Sequence, residues 1–484
     1  MKVALREAWL PFAAGLLQVT AFAPFGNWAG SFIFLAVLFA GWHGATPRMA
    51  AWRGFAWGLG CFLGGVSWVY VSMHDVGGMP APVAILMTLA FALYLALWPA
   101  FSGWLAARLR SEGMLSIFMI AAAWTLGEWL RGIIATGFPW LAIGYSQTPP
   151  SPLAGYAPSL GVYGVSFAVA VVAAALACYW NVRRWTVFLP GIVALLLGAG
   201  LRTVEWTQPQ GQPFSVSLLQ GNVPQSLKWD PQRLSLSLET YAGLTAAHPA
   251  QLVVLPETAI PLMFSEIPKD YLKQLTGNDR HVLLGAAVGL NADGYANGAV
   301  MLTPQLQVSA YFKHHLVPFG EFVPSGFQWF LDLMHIPMSN FSAGSVQQEA
   351  LVFVGQKIMP NICYEDLFGE ELIRGAADAT LLINLSNTAW FGDSLAQPQH
   401  LQIAQMRALE TGRMMLRATN TGMTAAVDPD GRVAAVLPAF TRGALTVDAQ
   451  GYTGLTPYVR TGNFTIVTLA LLILGLAWRT RKQG

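Results

Sequence analysis

The chain has 484 residues, of which 54% are hydrophobic and only 11% charged, with a formal net charge of +2. Soluble globular chains carry about 25% charged residues, so this deficit, with a mean hydropathy of +0.47, excludes an ordinary soluble enzyme and indicates an integral membrane protein. The small net charge, with basic residues crowded only at Arg479, Arg481 and Lys482, argues against a nucleic-acid partner.

The apolar residues are unevenly spread. Residues 1–201 and 463–478 are nearly continuous hydrophobic segments, whereas 205–460 alternate short apolar runs, Pro/Gly turns and spaced charges. Three parts are predicted: a bundle of seven spans over 1–204, an extramembrane domain over 205–460, and a last transmembrane helix with a basic tail over 461–484. The eight spans are expected at about 8–25, 28–44, 54–73, 82–106, 113–130, 159–181, 186–201 and 463–478. A spanning helix needs roughly 20 apolar residues, and the last two fall short of that. Ala21-Phe-Ala23 resembles a signal-peptide cleavage site, but Pro24 directly after it should block cleavage, and further spans follow at once.

Lys and Arg in the short loops set the expected orientation. Lys2, Arg6, Arg48, Arg53, Arg108, Arg110, Arg183, Arg184 and the C-terminal cluster fall on one side, and only Arg131 on the other. The positive-inside rule then places both termini in the cytoplasm and the large domain across the membrane, which in a bacterium is the periplasm. Cys61 and Cys178 lie inside expected spans, so Cys363 has no disulfide partner within the chain. Free thiols are rare in an oxidising compartment unless they have a task. Cys363 therefore reads as a nucleophile or as an inert buried thiol, and cysteine count does not choose between them.

Two loops, 73–82 and 137–147, are rich in aromatics, Gly and Pro. The second contains Gly137-Phe-Pro-Trp140, so Phe138 and Trp140 belong either to an interfacial aromatic belt or to a lip that guides lipid. Glu128 and Arg131, three apart near the end of the fifth span, can pair on one helix face. A structural ion pair is the expectation there, ahead of a proton relay.

In the extramembrane domain, 214–220, 251–255, 281–288, 298–302, 308–314, 357–363 and 380–385 read as strands, being short and rich in aliphatic or β-branched residues. Residues 268–276 and 397–415 read as helices, and 424–437 as a hairpin around Asp428-Pro-Asp-Gly431. This alternation indicates an α/β layered fold. Three sites stand at or near strand ends: Leu255-Pro-Glu-Thr258, the run Tyr311-Phe-Lys-His-His-Leu-Val-Pro-Phe-Gly-Glu-Phe-Val-Pro324, and Met359-Pro-Asn-Ile-Cys-Tyr-Glu-Asp-Leu-Phe368. Their chemistry is complementary. A thiol needs a base, which Glu257 can supply. An attacked carbonyl develops negative charge, which an ammonium such as Lys313 can stabilise. Each residue also has a plainer reading, Glu257 as a helix cap and Lys313 as a surface cation. The adjacent His314 and His315 suggest a metal site, but neighbours on a strand point to opposite faces, so no metal is expected.

These motifs, in this order, resemble the nitrilase superfamily. With the spans around them, the chain resembles the apolipoprotein N-acyltransferase family of Gram-negative bacteria over essentially its whole length. The likeness extends to Gly-Gly-Met-Pro-x-Pro at 77–82, Thr-Gly-Phe-Pro-Trp at 136–140, Pro-Gln-Ser-Leu-Lys-Trp-Asp at 224–230, Ser-Asn-Thr-Ala-Trp-Phe-Gly at 386–392 and Gly-Leu-Thr-Pro-Tyr at 454–458. It implies a multi-pass helical bundle carrying an α-β-β-α sandwich. It implies Cys363 as nucleophile, Glu257 as general base, Lys313 as stabiliser of the tetrahedral intermediate, and Glu321 as the residue that orients Lys313 or shares its protons. Tyr364 and Glu365 would shape the pocket, with the Tyr364 N–H as an oxyanion donor. Trp229 would sit on a mobile arm, and Asn387 and Trp390 would line the site.

The implied reaction moves an acyl chain from the sn-1 position of a phospholipid, expected to be phosphatidylethanolamine, to the α-amine of a diacylglyceryl-cysteine apolipoprotein through a thioester, without a cofactor. The implied location is the inner membrane. Two departures stand out: Asp366 where an apolar residue is expected, and His314 where a polar one is; neither is expected to touch the triad. The rival readings are a membrane-tethered amidase, with water as acceptor, and a lipid-binding or transport protein with an inactive domain.

Overall fold

The computed structural model describes residues 2–224, 234–291, 294–323 and 340–481. They form two compact units: Met1–Tyr70 with Pro82–Glu205 and Thr456–Gly484, and Val71–Ala81 with Trp206–Leu455. The first unit is helical, with α1 Lys2–Gln18, α2 Gly30–Trp42, α3 Pro47–Gly65, α4 Ala81–Leu109, α5 Gly113–Ile133, α6 Ala157–Val182, α7 Leu189–Leu201 and a C-terminal helix Phe464–Arg481. Lipid offers the backbone no hydrogen bonds, so such apolar runs satisfy themselves as helix. Small residues let the helices approach. A Cβ on Gly60 of α3 would lie 2.2 Å from the Phe12 carbonyl oxygen of α1. The core of the unit is α6, whose Ala170, Ala173, Ala174 and Ala175 are all buried.

Four described helices are long and apolar enough to cross a membrane: Ala81–Leu109, Gly113–Thr136, Pro152–Val182 and Phe464–Arg481. A fifth joins them if Pro47–Gly65 is counted with the bent segment Val69–Val76, while Gly30–Trp42 and Trp185–Leu201 are apolar but shorter. The expected first span, 8–25, is displaced from the helix observed, as is the third, 54–73, from Pro47–Gly65. α1 closes at Gln18, followed by the tight turn Val19–Ala21. Pro24 disfavours a helical conformation at Ala23, so no helix runs on to 25.

The second unit is built on two six-stranded sheets. Its strands are β1 Gln208–Gln220, β2 Leu252–Val254, β3 His281–Asn291, β4 Gly294–Leu302, β5 Val308–Phe312, β6 Leu351–Phe353, β7 Gln356–Ile362, β8 Leu381–Ser386, β9 Met415–Thr419, β10 Thr424–Val427, β11 Val433–Leu437 and β12 Gly443–Thr453. They are ordered β12-β1-β2-β3-β4-β5 and β11-β10-β9-β8-β7-β6. The trios β1-β2-β3 and β7-β8-β9 are parallel; the remaining pairs are antiparallel. Side-chain alternation sets the layers. Leu252 and Val254 join a core shared by both sheets, with Val216, Leu218, Ile358 and Ile362. Val253 and Leu255 join a second core with Tyr241 of α8 Leu234–Ala247 and with Leu272 and Leu275 of α9 Lys269–Thr276. Leu372 of α10 Gly369–Ala376 and Leu401, Ala404 and Ala408 of α11 Ala396–Thr411 pack on the second sheet. The layers are α-β-β-α.

Several expected boundaries shift for local reasons. The helix expected over 397–415 ends at Thr411, because Gly412 takes a left-handed φ of 63° and caps it. That releases Met415–Thr419 as a central strand. The strand expected over 308–314 ends at Phe312, just before Lys313. The hairpin turn lies at Asp428-Pro-Asp-Gly431, where the Gly431 N–H donates to the Asp428 carbonyl at 2.8 Å.

Glu128 and Arg131 do not form the expected ion pair; among the described ion pairs neither takes part. Each holds the backbone of the following loop instead. Arg131 donates to the carbonyls of Phe138 and Trp140, both at 2.6 Å, and lies 5.2 Å from the centre of the Phe62 ring. The Ile143 N–H donates to Glu128 at 2.8 Å. Trp140 is buried against Trp68 at a ring separation of 4.8 Å, and the half-buried Phe138 stacks on it at 6.2 Å. Charge-assisted bonds to buried carbonyls contribute more than neutral ones. Arg131→Met is expected to destabilise this unit by about 2–4 kcal/mol and to expose the 134–147 loop to protease. Thermal inactivation and limited proteolysis in detergent check both.

Candidate active site

The site is assembled from strand ends of both sheets. Past β2, Leu255 keeps one ladder bond to Leu283, and Glu257 follows two residues later. β3 passes so close that a Cβ on Gly285 would lie 2.6 Å from the Glu257 Cα, so this crossing admits only glycine without movement. Glu257 is 7% exposed. One carboxylate oxygen accepts the Asn387 N–H at 2.8 Å and the other accepts Asn297 Nδ2 at 2.7 Å.

Lys313 comes directly after β5, its N–H bonded to the Asn297 carbonyl at 2.8 Å. Its side chain is fully buried, with Nζ 2.8 Å from Glu321 and 3.6 Å from Glu257. Asn297 also donates to Glu321, at 2.9 Å, so one amide bridges both carboxylates. Burial works against the charge on Lys313, but Glu321 and then Glu257 outweigh it and hold the ammonium above the ordinary lysine range. The plainer readings of Glu257 as a helix cap and Lys313 as a surface cation do not describe these positions.

Cys363 follows β7 and opens a short turn, Cys363–Leu367. Its φ is +53°, a left-handed conformation that residues with a side chain rarely adopt and that tends to persist at functional sites. The thiol is buried and within electrostatic reach of Glu257, Lys313, Glu321 and Asp366. Burial pushes its pKa up, Glu257 pushes the same way, and Lys313 opposes them; the thiol is therefore protonated at neutral pH.

Glu365 ties this turn to the lysine segment. One oxygen accepts the Ile362 N–H at 2.7 Å, and the other accepts the Tyr311 hydroxyl at 3.0 Å and the N–H groups of His314 and His315 at 2.7 and 3.2 Å. Burial raises the Glu365 pKa, against the pull of its backbone donors.

The remaining expected residues are distributed as follows. Tyr364 is buried beside Phe368 and His315, at ring separations of 5.1 and 5.8 Å. Asn387 touches Glu257 through its backbone and accepts from Asn420 at 3.1 Å through its side chain. Trp390 is half-buried, and its carbonyl accepts the Ser72 hydroxyl at 2.7 Å. Phe138 and Trp140 belong to the helical unit. Trp229 lies outside the described residues. His314 and His315 turn to different partners, the Gly344 carbonyl and Glu371.

Sequence reasoning missed Asn297, Tyr311 and the buried partners of Asp366. A polar amide between small residues in Tyr295-Ala-Asn-Gly-Ala299 was the available signal for Asn297. Asp366, at a position where an apolar residue is expected, is fully buried and paired with His400 and Arg417.

Two family profiles match the chain: "Apolipoprotein N-acyltransferase N-terminal domain" over residues 14–175 and "Carbon-nitrogen hydrolase" over 215–458. The second unit is therefore a carbon-nitrogen hydrolase domain, of the nitrilase superfamily. An apolipoprotein N-acyltransferase of Nitrosomonas europaea is 47% identical over 479 residues, which cover 96% of this chain and 96% of that one. One of Ralstonia nicotianae is 47% identical over 495 residues, covering 98% and 94%. One of Methylococcus capsulatus is 42% identical over 491 residues, covering 99% and 97%. A solved amidase from Nesterenkonia sp. is 19% identical with a TM-score of 0.39, covering 53% of this chain and 96% of that one. The chain belongs to the apolipoprotein N-acyltransferase family.

The thiolate is the form that alkylating reagents attack, so a raised thiol pKa makes labelling slow near neutral pH and faster as pH rises. Glu257→Gln removes one influence that raises this pKa and leaves Lys313 in place, so the pKa should fall. Iodoacetamide labelling of Cys363 in that variant is expected to be about tenfold faster near neutral pH, read by peptide mass spectrometry across a pH series.

Proposed function

We propose that the chain transfers an acyl group from the sn-1 position of a membrane phospholipid, phosphatidylethanolamine in the first instance, to the N-terminal α-amine of diacylglyceryl-cysteine apolipoproteins. The observation that carries this reading is the buried Glu257–Lys313–Glu321 cluster beside Cys363, in a chain that matches its N-acyltransferase relatives nearly end to end. In the first half-reaction, Glu257 takes the thiol proton as Cys363 attacks the ester carbonyl. Lys313 and the Tyr364 N–H stabilise the oxyanion. The ester C–O bond breaks, and the proton passes to the departing lysophospholipid oxygen. In the second, the acceptor amine attacks the thioester; Glu257 takes the amine proton and returns it to the leaving thiolate. Splitting one transfer into two steps lowers each barrier. The stable amide makes the second step hard to reverse.

Glu321 keeps Lys313 charged and in place. Tyr364 and Glu365 shape the acyl pocket, Asn387 and Trp390 line it, and Trp229 is assigned to lipid entry. Phe138 and Trp140 are assigned to lipid handling in the bundle. The arrangement proposed is seven spans over 1–204, a periplasmic domain over 205–460, and an eighth span with a cytoplasmic tail over 461–484. Both termini are then cytoplasmic, and the protein resides in the inner membrane.

The test is the intact mass of the full-length protein after incubation with one defined phospholipid. A single added acyl chain is expected, labile to hydroxylamine, absent in Cys363→Ala and discharged by a diacylated cysteinyl peptide. Glu257→Gln should slow the overall transfer by about 10²–10⁴-fold, although its thiol is the more readily alkylated one. An adduct that decays to free fatty acid at one rate, with or without peptide, would make water the acceptor. No adduct on an accessible Cys363 would refute the covalent route.

A further inference from the structure

Under the turn that carries Cys363 lies a polar cluster that takes no part in the reaction outlined above. Strands β7, β8 and β9 place Asn361 beside Asn384 and Asn384 beside Arg417. Directly paired residues share a sheet face, so these three form one row across three parallel strands. Asn384 Nδ2 donates to Asn361 at 2.6 Å and to the carbonyl of Cys363 at 3.2 Å. Its Oδ1 accepts from Ser386 at 2.6 Å and from Arg417 at 3.1 Å.

The row is closed by Asp366, three residues past the nucleophile, and by His400 of α11. Arg417 reaches one Asp366 oxygen at 3.0 Å and His400 Nδ1 at 2.7 Å; His400 Nε2 reaches the other Asp366 oxygen at 2.7 Å. A guanidinium can only donate. Nδ1 must therefore accept, and the imidazole is neutral with its proton on Nε2, donating to Asp366. Burial and the Arg417 charge lower the His400 pKa, in agreement with that tautomer. All three side chains are at most 1% exposed.

Burying an ion pair at this depth brings little net stability, and well-packed apolar residues often do as well. Stability is thus a poor account of the cluster, whereas its position is informative. The left-handed φ of Cys363 has to be over-determined by its surroundings. Glu365 holds the residue before Cys363, Asn384 holds its carbonyl, and Asp366 holds the turn after it.

We propose that Asp366 is a positioning residue: through Arg417 and His400 it clamps the Cys363–Leu367 turn to β9 and α11 and so aligns the thiol with Glu257 and Lys313. This rests on the reading of Cys363 as the nucleophile.

The test uses the full-length protein in lipid nanodiscs and follows thioester formation from a defined phospholipid. The amplitude of the first turnover counts correctly folded sites, and its rate reports their geometry. Asp366→Asn keeps the shape of the side chain. Its amide NH₂ must face either Arg417 or the His400 Nε2–H, both donors, so one bond is lost. The expected result is acylation slowed roughly 10- to 100-fold, with amplitude unchanged. His400→Leu should behave alike, and His400→Gln, which can accept from Arg417 and donate to Asp366, should restore most of the lost rate. That pair decides the matter if Asp366→Asn fails to fold. A rate within about twofold of wild type at full amplitude, or a loss confined to amplitude, would overturn the proposal. So would His400→Gln falling as far as His400→Leu. Absence of any adduct in the wild type would instead strike at Cys363 as nucleophile.

Discussion

A lysine side chain with no exposure to solvent can keep its charge only if its surroundings supply the opposite one, and Lys313 is in that position. Glu321 meets it at 2.8 Å and Glu257 at 3.6 Å, and Asn297 donates to both carboxylates. Removing any one of them would strand another. The requirement gathers the end of β2, the middle of β4, the end of β5 and the segment after it around one point. It also fixes the local charge. Two carboxylates against one ammonium leave the cluster net negative, and this excess, added to burial, keeps the Cys363 thiol protonated. A protonated thiol resists adventitious oxidation. Glu257 is itself satisfied by Asn297 and the Asn387 N–H.

The two sheets contribute unequally. The first supplies the charges, and the second supplies the sulfur on a strained turn. Glu365 spans the difference, accepting from Ile362 on one side and from Tyr311, His314 and His315 on the other. One carboxylate therefore sets the distance between the Cys363 turn and the Lys313 segment. Most of what it accepts is backbone N–H, so that distance depends little on the identity of the side chains at 314 and 315.

The parts legible in the sequence were those with strong local chemistry. Glu257, Lys313 and Cys363 each interrupt or end an aliphatic run, and a charge or thiol in such a place needs a reason. The hairpin at 424–437 was readable because Asp428-Pro-Asp-Gly431 dictates a turn. β12 was not, because Gly443-Ala-Leu-Thr-Val-Asp-Ala-Gln-Gly-Tyr-Thr453 mixes small and polar residues, as suits a half-exposed edge strand. β9 was hidden in an apparent helix, since Met414-Met-Leu-Arg-Ala418 suits either state and only the left-handed Gly412 separates them. The contacts made by Asn297, Asp366 and Glu128 were beyond reach for a shared reason. Their partners are distant in sequence or are backbone groups, and neither leaves a spacing to find. The Glu128/Arg131 spacing suggested mutual pairing, yet both side chains found better-placed backbone partners in the next loop.

The register of β1 and β12 has one more consequence. Gln208 pairs directly with Thr453, so the first and last strands of the catalytic unit lie side by side, running in opposite directions. Paired residues in such a ladder are only about 5 Å apart, so the chain enters and leaves the domain at nearly the same place. The main segment of that unit, Trp206–Leu455, therefore begins and ends on two adjacent threads, apart from the separate stretch Val71–Ala81. A domain with neighbouring ends asks only for a short gap in its host. A segment with such neighbouring ends could be spliced into a host chain at a single point.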